Sequence, residues 1–457
     1  MEFLDSTVIA TALPQMARSF HVQAVDLNVG MTAYMLTLAV FIPISGWVAD
    51  RFGSRRIFAS AIAVFTISSI LCGISSGLTE FTWARIVQGI GGAMMVPVGR
   101  LVVLRSTEKK DLIHSIAYLT WPALAAPLIG PPLGGFITTY ANWRWIFFLN
   151  VPLGAAAFAL TFFLLRDERE KERPEFDWLT FIFSGVACTS FVYGLELLGR
   201  GDERWKMGAA LVAVSIATGA AAIATTRRAR FPLIDLESLK LRTFAVTIFG
   251  GSIFRAAIFV SPFLLPLMFQ VGFGMNAFHS GLFLLALFAG NLGMKSVTTP
   301  VLRRFGFRRV LIVNGLAVGV AILLCALLSP QTSWVLVALV LFVNGLCRSM
   351  QFTALGTLAF VDVPQERISA ANSFFSTVQQ LGMSMGVALG ALALRMATLA
   401  RGHGHGTPDV MDFHIAFALV GVMALLAVAD CFQLPPDAGS ITSGHRVDGA
   451  AEELTEA

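Results

Sequence analysis

Charge is what this chain has least of. Asp, Glu, Lys and Arg make up 13% of its 457 residues against 56% hydrophobic, and a mean hydropathy of +0.74 lies far above that of a water-soluble domain. So few polar side chains cannot cover a globular surface, and the composition is that of an all-α polytopic membrane protein. Cysteine is also scarce: Cys72, Cys188, Cys325, Cys347 and Cys431 fall singly in apolar segments, which excludes a disulfide framework and a zinc cluster. No GxxxxGK[ST] stretch occurs, which disfavours an ATP-driven pump. A cleavable signal peptide is not indicated, and no polar block is long enough for a signalling domain, which weighs against a receptor or scaffold. The net charge of +5 is dispersed over short loops, as orientation signals are, and does not form a nucleic-acid surface.

What is there is a succession of apolar runs. The first, Met1 to about Phe20, is barely one bilayer thickness and carries Glu2, Asp5 and Pro14. A span so short at its amino end is what a truncated or misassigned start would leave. Runs follow at about 27–49, 57–78, 81–104, 113–140 and 144–165, and a charged linker begins at Arg166. Two more lie at about 178–199 and 206–226, and the last six at about 243–271, 277–300, 308–328, 332–357, 368–397 and 413–433. The expectation is fourteen spans: an amino-terminal six-helix bundle over 1–165, linkers with two extra transmembrane helices over 166–242, a carboxy-terminal six-helix bundle over 243–433, and a disordered cytoplasmic tail over 434–457. With both termini inside, 21 Lys and Arg, Arg100 among them, fall in inner loops and 6 in outer loops, the bias expected for a membrane protein so oriented.

Two patterns break the hydrophobic monotony. Trp121–Gly135, WPALAAPLIGPPLGG, sets prolines at 122, 127, 131 and 132 inside an apolar segment. Neighbouring helices can satisfy carbonyls that proline leaves free, and Gly130, Gly134 and Gly135 strip one face of side chains, so a kinked, tightly packed hinge is expected. The second pattern is an internal echo: ADRFGSRRI at 49–57 returns as LRRFGFRRV at 302–310. Two six-helix halves with two inserted helices put both copies at equivalent loops, as in transporters built from parallel repeats.

These residues carry a resemblance to a known family. Gly46–Arg56, GWVADRFGSRR, resembles the loop signature of the major facilitator superfamily; Arg85–Ala93, RIVQGIGGA, resembles its fourth-span signature; and Gly130–Gly135, GPPLGG, resembles its antiporter signature. LDSTVIATALP at 4–14 and WRWIFFLNVPLG at 143–154 resemble the fourteen-spanner drug:proton antiporter branch. The likeness runs in order along the whole chain. It departs at Ala117 and Ala126, where the longer fifth-span pattern has glycines, and at Ala10, where an Asn is common.

Several residues are candidates for the machinery. Asp50 at the inner end of span two can meet the positive amino end of a helix in the other bundle. Arg51, Arg55 and Arg56 reach carboxylates or lipid phosphates, and Gly46 and Gly53 complete a latch that breaks when that side opens. Asp5 costs ~2.5–3.5 kcal/mol to hold charged near mid-bilayer, so it is expected to face a wet cavity and exchange protons. The resemblance implies a coupling or substrate-contact role for Asp5 and proton transfer for Arg85, with Gln88 beside it. Arg255 and Arg348 serve either a cavity or helix-to-helix hydrogen bonds. The hinge set is Pro127, Gly130, Pro131, Gly134 and Gly135. His403 and His405 belong to a solvated loop, so no metal is expected.

The resemblance implies no enzyme but a proton-coupled exporter of hydrophobic or amphipathic compounds such as drugs. It would work by alternating access in the bacterial cytoplasmic (inner) membrane, as a monomer, with the proton gradient in place of any cofactor. Its partners are then the small-molecule substrate, protons and membrane lipids, with no nucleic acid; a periplasmic adaptor is left open. The alternative on the same fold is a proton-coupled transporter of a metabolite or organic anion, because Arg255 and Arg348 outnumber Asp5.

Overall fold

A computed structural model describes residues 1–22, 27–165, 175–200, 204–229, 232–402 and 408–444; of some helical residues, Pro127 and Pro131 among them, only the backbone is described. Long apolar runs become helices because a helix satisfies every backbone N–H and C=O internally. They are α1 (Glu2–Phe20), α2 (Val29–Phe52, with a 3-10 turn at Ile42–Ile44), α3 (Ser54–Ile74), α4 (Leu78–Ser106), α5 (Leu112–Tyr140), α6 (Arg144–Phe163) and α7 (Trp178–Arg200). The chain continues through α8 (Trp205–Thr226), α9 (Arg242–Leu267), α10 (Ala277–Gly293), α11 (Lys295–Cys325, two helical stretches that turn a non-helical corner at Gly306), α12 (Trp334–Val361), α13 (Ile368–Ala400) and α14 (Val410–Cys431). No strand occurs among the described residues.

Eleven stretches among the described residues are long and apolar enough to cross a membrane, so the expected count of fourteen spans is not established. The other three runs, α1, α5 and α10, are helical but do not figure among the eleven. α1 has 19 residues and carries two acids in its first turn. α10 is interrupted after 17 residues, and several α5 side chains are undescribed.

Packing repeats the echo seen in the loops. α1 packs on α5, α2 on α4, α3 on α4 and α3 on α6; in the same order α9 packs on α13, α10 on α12, α11 on α12 and α11 on α14. The two loop glycines match as well, Gly53 at φ 92° and Gly306 at φ 72°, a region that only glycine enters cheaply. Identical turn chemistry thus sits at equivalent corners of two halves. The inserted helices α7 and α8 pack on each other, and α7 also touches α2 of one half and α13 of the other.

The halves meet at the end of the bundle that carries these two loops, the basic-loop end. One buried cluster there joins Leu101, Leu104 and Ile116 to Phe360, Ile368 and Phe375. Residues 434–444, expected to begin a disordered tail, are folded: Leu434 and Ala438 are buried against Phe307, and a short helix spans Ser440–Ser443. Their apolar side chains give them a core to join. Residues 445–457 and the loop of His403 and His405 lie outside the described residues.

The proline-rich helix α5 runs unbroken from Leu112 to Tyr140. Of its hinge glycines, Gly130 meets α1 closely: a Cβ there would come within 2.2 Å of Thr7 Oγ1 and 2.8 Å of Thr7 Cβ. Gly135, expected on the same stripped face, looks onto open space, because five residues rotate a helix by more than a full turn. Gly135→Ala should therefore leave thermal stability equal or raise it by up to about 1 kcal/mol through helix propensity. Gly130→Ala should lower it by about 1–3 kcal/mol through overpacking, and Thr7→Ala, which removes Oγ1 but keeps the Cβ, should recover only part of that loss. Thermal unfolding of the purified protein in detergent reads all three; equal effects at 130 and 135 would remove Gly130 from the α1–α5 contact.

Candidate functional site

The interior of the first half holds a closed polar cluster. Asp5 comes from α1, Arg85 and Gln88 from neighbouring turns of α4, Ser69 from α3 and Asn150 from α6. Arg85 Nη1 donates to Asp5 Oδ2 at 2.6 Å and to Gln88 Oε1 at 2.5 Å. Gln88 Nε2 donates to Asp5 Oδ1 at 3.2 Å and to Ser69 Oγ at 2.8 Å. Asn150 Nδ2 completes the shell, 3.1 Å from Asp5 Oδ1 and 3.3 Å from Ser69 Oγ. Asp5 is 2% exposed and Arg85 1%. Although only two turns into its helix, Arg85 does not snorkel to the surface, because the carboxylate it pairs with lies inward.

Asp5 does not face a wet cavity, which corrects the expectation. Three donors already surround its carboxylate, and it is absent from the lining of the cavity between the halves. That cavity, about 130 Å³, is bordered by Glu2, Tyr34, Met35, Arg100, Gln379 and Met383 among others. Tyr34 separates the two: its ring lies 4.1 Å from the Arg85 guanidinium, while the same side chain borders the cavity. An aromatic face against a desolvated cation is an attractive contact, so a change in Arg85 is felt at the cavity wall.

Asp50 Oδ1 accepts from Arg105 Nη2 at 2.7 Å, a cation at the end of α4 in its own half, and the Asp50 carboxylate also interacts with the Ser369 side chain in the first turn of α13, the amino end of a helix in the other half. Arg51 and Arg55 lie against aromatic rings, 5.5 Å from Trp47 and 4.8 Å from Phe162, and Arg56 is exposed. The contacts that cross between halves include two lysines, Lys109 Nζ donating to the Val361 carbonyl at 2.8 Å and Lys295 Nζ to Thr120 Oγ1 at 2.8 Å, together with uncharged groups and one buried arginine. Gly46 N donates to Ser373 Oγ at 2.8 Å, and Asn372 Nδ2 donates to the Pro97 carbonyl at 2.8 Å. Arg100 donates from Nη1 to Ser376 Oγ at 3.2 Å and from Nη2 to Gln379 Oε1 at 3.0 Å. Arg100 was counted with the loop cations, yet it is 7% exposed inside α4; the apolar residues on both sides of it, VPVGRLVVL, are the signal.

Arg255 and Arg348 belong to the second half and do not join Asp5, Arg85 or Gln88. Arg255 Nη1 donates to the Thr247 carbonyl at 3.0 Å and its guanidinium lies 4.6 Å from the Phe375 ring. The Arg100 guanidinium lies 5.0 Å from the same ring, so two cations from different halves share one aromatic face system. Arg255 Nη2 and Arg348 Nη1 are buried without a hydrogen-bond partner among the described residues. Asn344 and Gln351, at helical spacing from Arg348, turn instead to Cys325 and Asn314. Asn150 and Ser69 also belong to the site: Asn150 stands inside the WRWIFFLNVPLG stretch, which is its signal in the sequence, while nothing in the sequence pairs Ser69 with them.

Comparison with known proteins adds three observations. The family model for the Major Facilitator Superfamily matches residues 1–387. A protein of Cronobacter sakazakii provisionally named multidrug resistance protein MdtD is 36% identical over 94% of this chain and 90% of its own length, and one of Serratia proteamaculans with the same provisional name is 38% identical over 86% and 82%. Among solved structures, the human organic anion transporter MFSD10 superposes with a TM-score of 0.64 at 12% identity, covering 94% of this chain and 96% of its own. The proton:xylose symporter XylE gives 0.64 at 14% identity, covering 96% and 94%. At such identities these two are similar in fold alone.

Proposed function

The chain belongs to the major facilitator superfamily, a family of multi-pass membrane transporters, and from that premise we propose that it exports small hydrophobic or amphipathic compounds in exchange for protons by alternating access. The observation that carries this reading is the Asp5–Arg85 pair, sealed in an apolar half and separated from an interbundle cavity by one tyrosine ring. A proton arriving at Asp5 cancels its charge, weakens the 2.6 Å ion pair and frees Arg85 to shift against Tyr34. Occupancy of the cavity and protonation of Asp5 thereby oppose each other without sharing an atom. Substrate enters when the basic-loop end is open and Asp5 has given up its proton; it leaves on the other side, where Asp5 takes one up. One charge moving inward supplies ~2.3 kcal/mol per 100 mV. The name carried by the MdtD relatives supports drug-like passengers, and the Met and Phe side chains at and beside the cavity suit apolar molecules of varied shape.

One observation favours a second reading, an anionic passenger: Arg100 and Arg255 converge on Phe375 with no carboxylate partner for either among the described residues. Proteoliposomes holding the full chain separate the two. Efflux of a cationic dye under a pH gradient supports the first; efflux of an aromatic carboxylate, lowered more than about tenfold in Arg255→Gln with dye flux unchanged, supports the second. Flux of neither, or flux indifferent to the gradient, overturns the proposal.

A further inference from the structure

A second recess lies on the flank of the molecule, away from the Asp5 cluster and from the cavity between the bundles. It measures about 680 Å³ and is bordered by α5 of the first half and α11 of the second. His114, Arg303, Thr299 and Lys295 are among the residues that line it. Arg303 stands three residues before the Gly306 corner, so it is beside the basic-loop face; Lys295 is eight residues, about 12 Å, farther along the helix. Lys295 donates to Thr120 Oγ1 at 2.8 Å and to Thr353 Oγ1, and neither it nor Arg303 makes an ion pair among the described residues.

Two cations without acids, one beside the basic-loop face and one about 12 Å farther along the helix, form an incomplete charge arrangement. The aromatic wall says what completes it. Tyr118 is 67% exposed and Trp121 49%, so the recess opens sideways, where a membrane-spanning protein meets lipid. Aromatic side chains at a membrane interface sit against glycerol and the first methylenes. We propose that the recess binds an acidic phospholipid, its phosphodiester drawn between Arg303 and Lys295, its glycerol region beside Thr299, and an acyl chain along Tyr118 and Trp121. Basic pockets between transmembrane helices at the inner face take such headgroups. Because the walls come from different halves, the lipid bridges them, alongside the Lys295–Thr120 bond that already does so.

The test reads lipid and not transport, so its outcome is independent of what the central cavity carries. The full-length protein is reconstituted in vesicles of equal parts phosphatidylcholine and phosphatidylglycerol, extracted, and its retained lipids counted by native mass spectrometry. Phosphatidylglycerol should be retained over phosphatidylcholine by more than about tenfold. Arg303→Gln, an exposed change that leaves folding alone, should cut that preference about fivefold; the Lys295→Gln and Arg303→Gln pair should abolish it. The charge-keeping pair Lys295→Arg and Arg303→Lys should retain it. Excess inorganic phosphate should fail to displace the lipid, because it lacks the chain that fills the aromatic wall. Equal retention of the two lipids, a preference untouched by Arg303→Gln, or displacement by phosphate alone would each overturn the assignment.

Discussion

Asp5→Asn should abolish the gradient-driven part of export and destabilise the protein by about 3–5 kcal/mol, although the two side chains are nearly the same size. The reason is the partner it leaves behind. Arg85 is 1% exposed and a guanidinium does not release its proton, so removing the carboxylate strands a full charge among apolar helices. The reverse change is milder: in Arg85→Met, Asp5 can take up a proton and remain hydrogen-bonded to Gln88 and Asn150, which lie 3.2 and 3.1 Å from its Oδ1. The double variant Asp5→Asn with Arg85→Met should regain most of the stability lost by Asp5→Asn and none of the export. Thermal unfolding in detergent and dye efflux from proteoliposomes measure the two quantities on the same preparations. Asp5→Asn as stable as the parent would mean that the buried pair contributes nothing; Asp5→Asn exporting at the parent's rate under a pH gradient would mean that the proton travels elsewhere.

How much of this could be read in the amino acids depends on whether the signal is local. Hydropathy is local, and it locates every long helix. Backbone conformation at a corner is local too, which is why the echo of RFGSRR in RFGFRR anticipates the shared positive φ of Gly53 and Gly306. The oddity of Asp5 and of Arg85 is also visible, since each is a charge inside an apolar run. Their pairing is not, because 80 residues separate them and either could have faced water. That distinction decided the largest correction. An unpartnered acid must find a wet cavity, whereas an acid held by Arg85, Gln88 and Asn150 is already satisfied and can be sealed. Arg100 reads as a loop cation for a related reason: counting cations per loop treats a basic residue near a helix end as an orientation signal, whereas the apolar run on both sides of it and the length of α4, which continues to Ser106, place it inside. The place of Asp50 in the chain makes its approach to a helix amino end of the other half legible, where Ser369 meets it; its ion pair with Arg105, 55 residues away in the same half, is not.

Gly46→Val should hold the basic-loop end open. A Cβ at this position would lie 2.5 Å from Ser373 Oγ, 2.7 Å from the Ser369 carbonyl oxygen and 2.8 Å from Ser369 Oγ. The hydroxyls can turn aside, but a carbonyl built into the first turns of α13 cannot, so the halves must separate or α2 must shift. The contact exists only when the two halves are together, which makes the penalty specific to one state. An overpacking cost of about 1–3 kcal/mol, at about 1.4 kcal/mol per tenfold, moves the equilibrium between states by about 5- to 150-fold. Gly345 provides the contrast, since a Cβ there would lie 1.9 Å from the Leu287 carbonyl oxygen, a contact between α12 and α10 of one half that persists whichever side is open. Gly345→Ala should therefore lower stability without shifting the equilibrium. Labelling of Gln380→Cys, on the cavity wall, by an impermeant thiol reagent applied from the basic-loop side distinguishes the two in a background without the native cysteines. The rate should rise in Gly46→Val and stay level in Gly345→Ala, while export falls in both. If Gly46→Val labels no faster than its parent, closure at this end does not depend on the approach of α2 to α13, and the serines that face Gly46 serve packing within a state that never opens there.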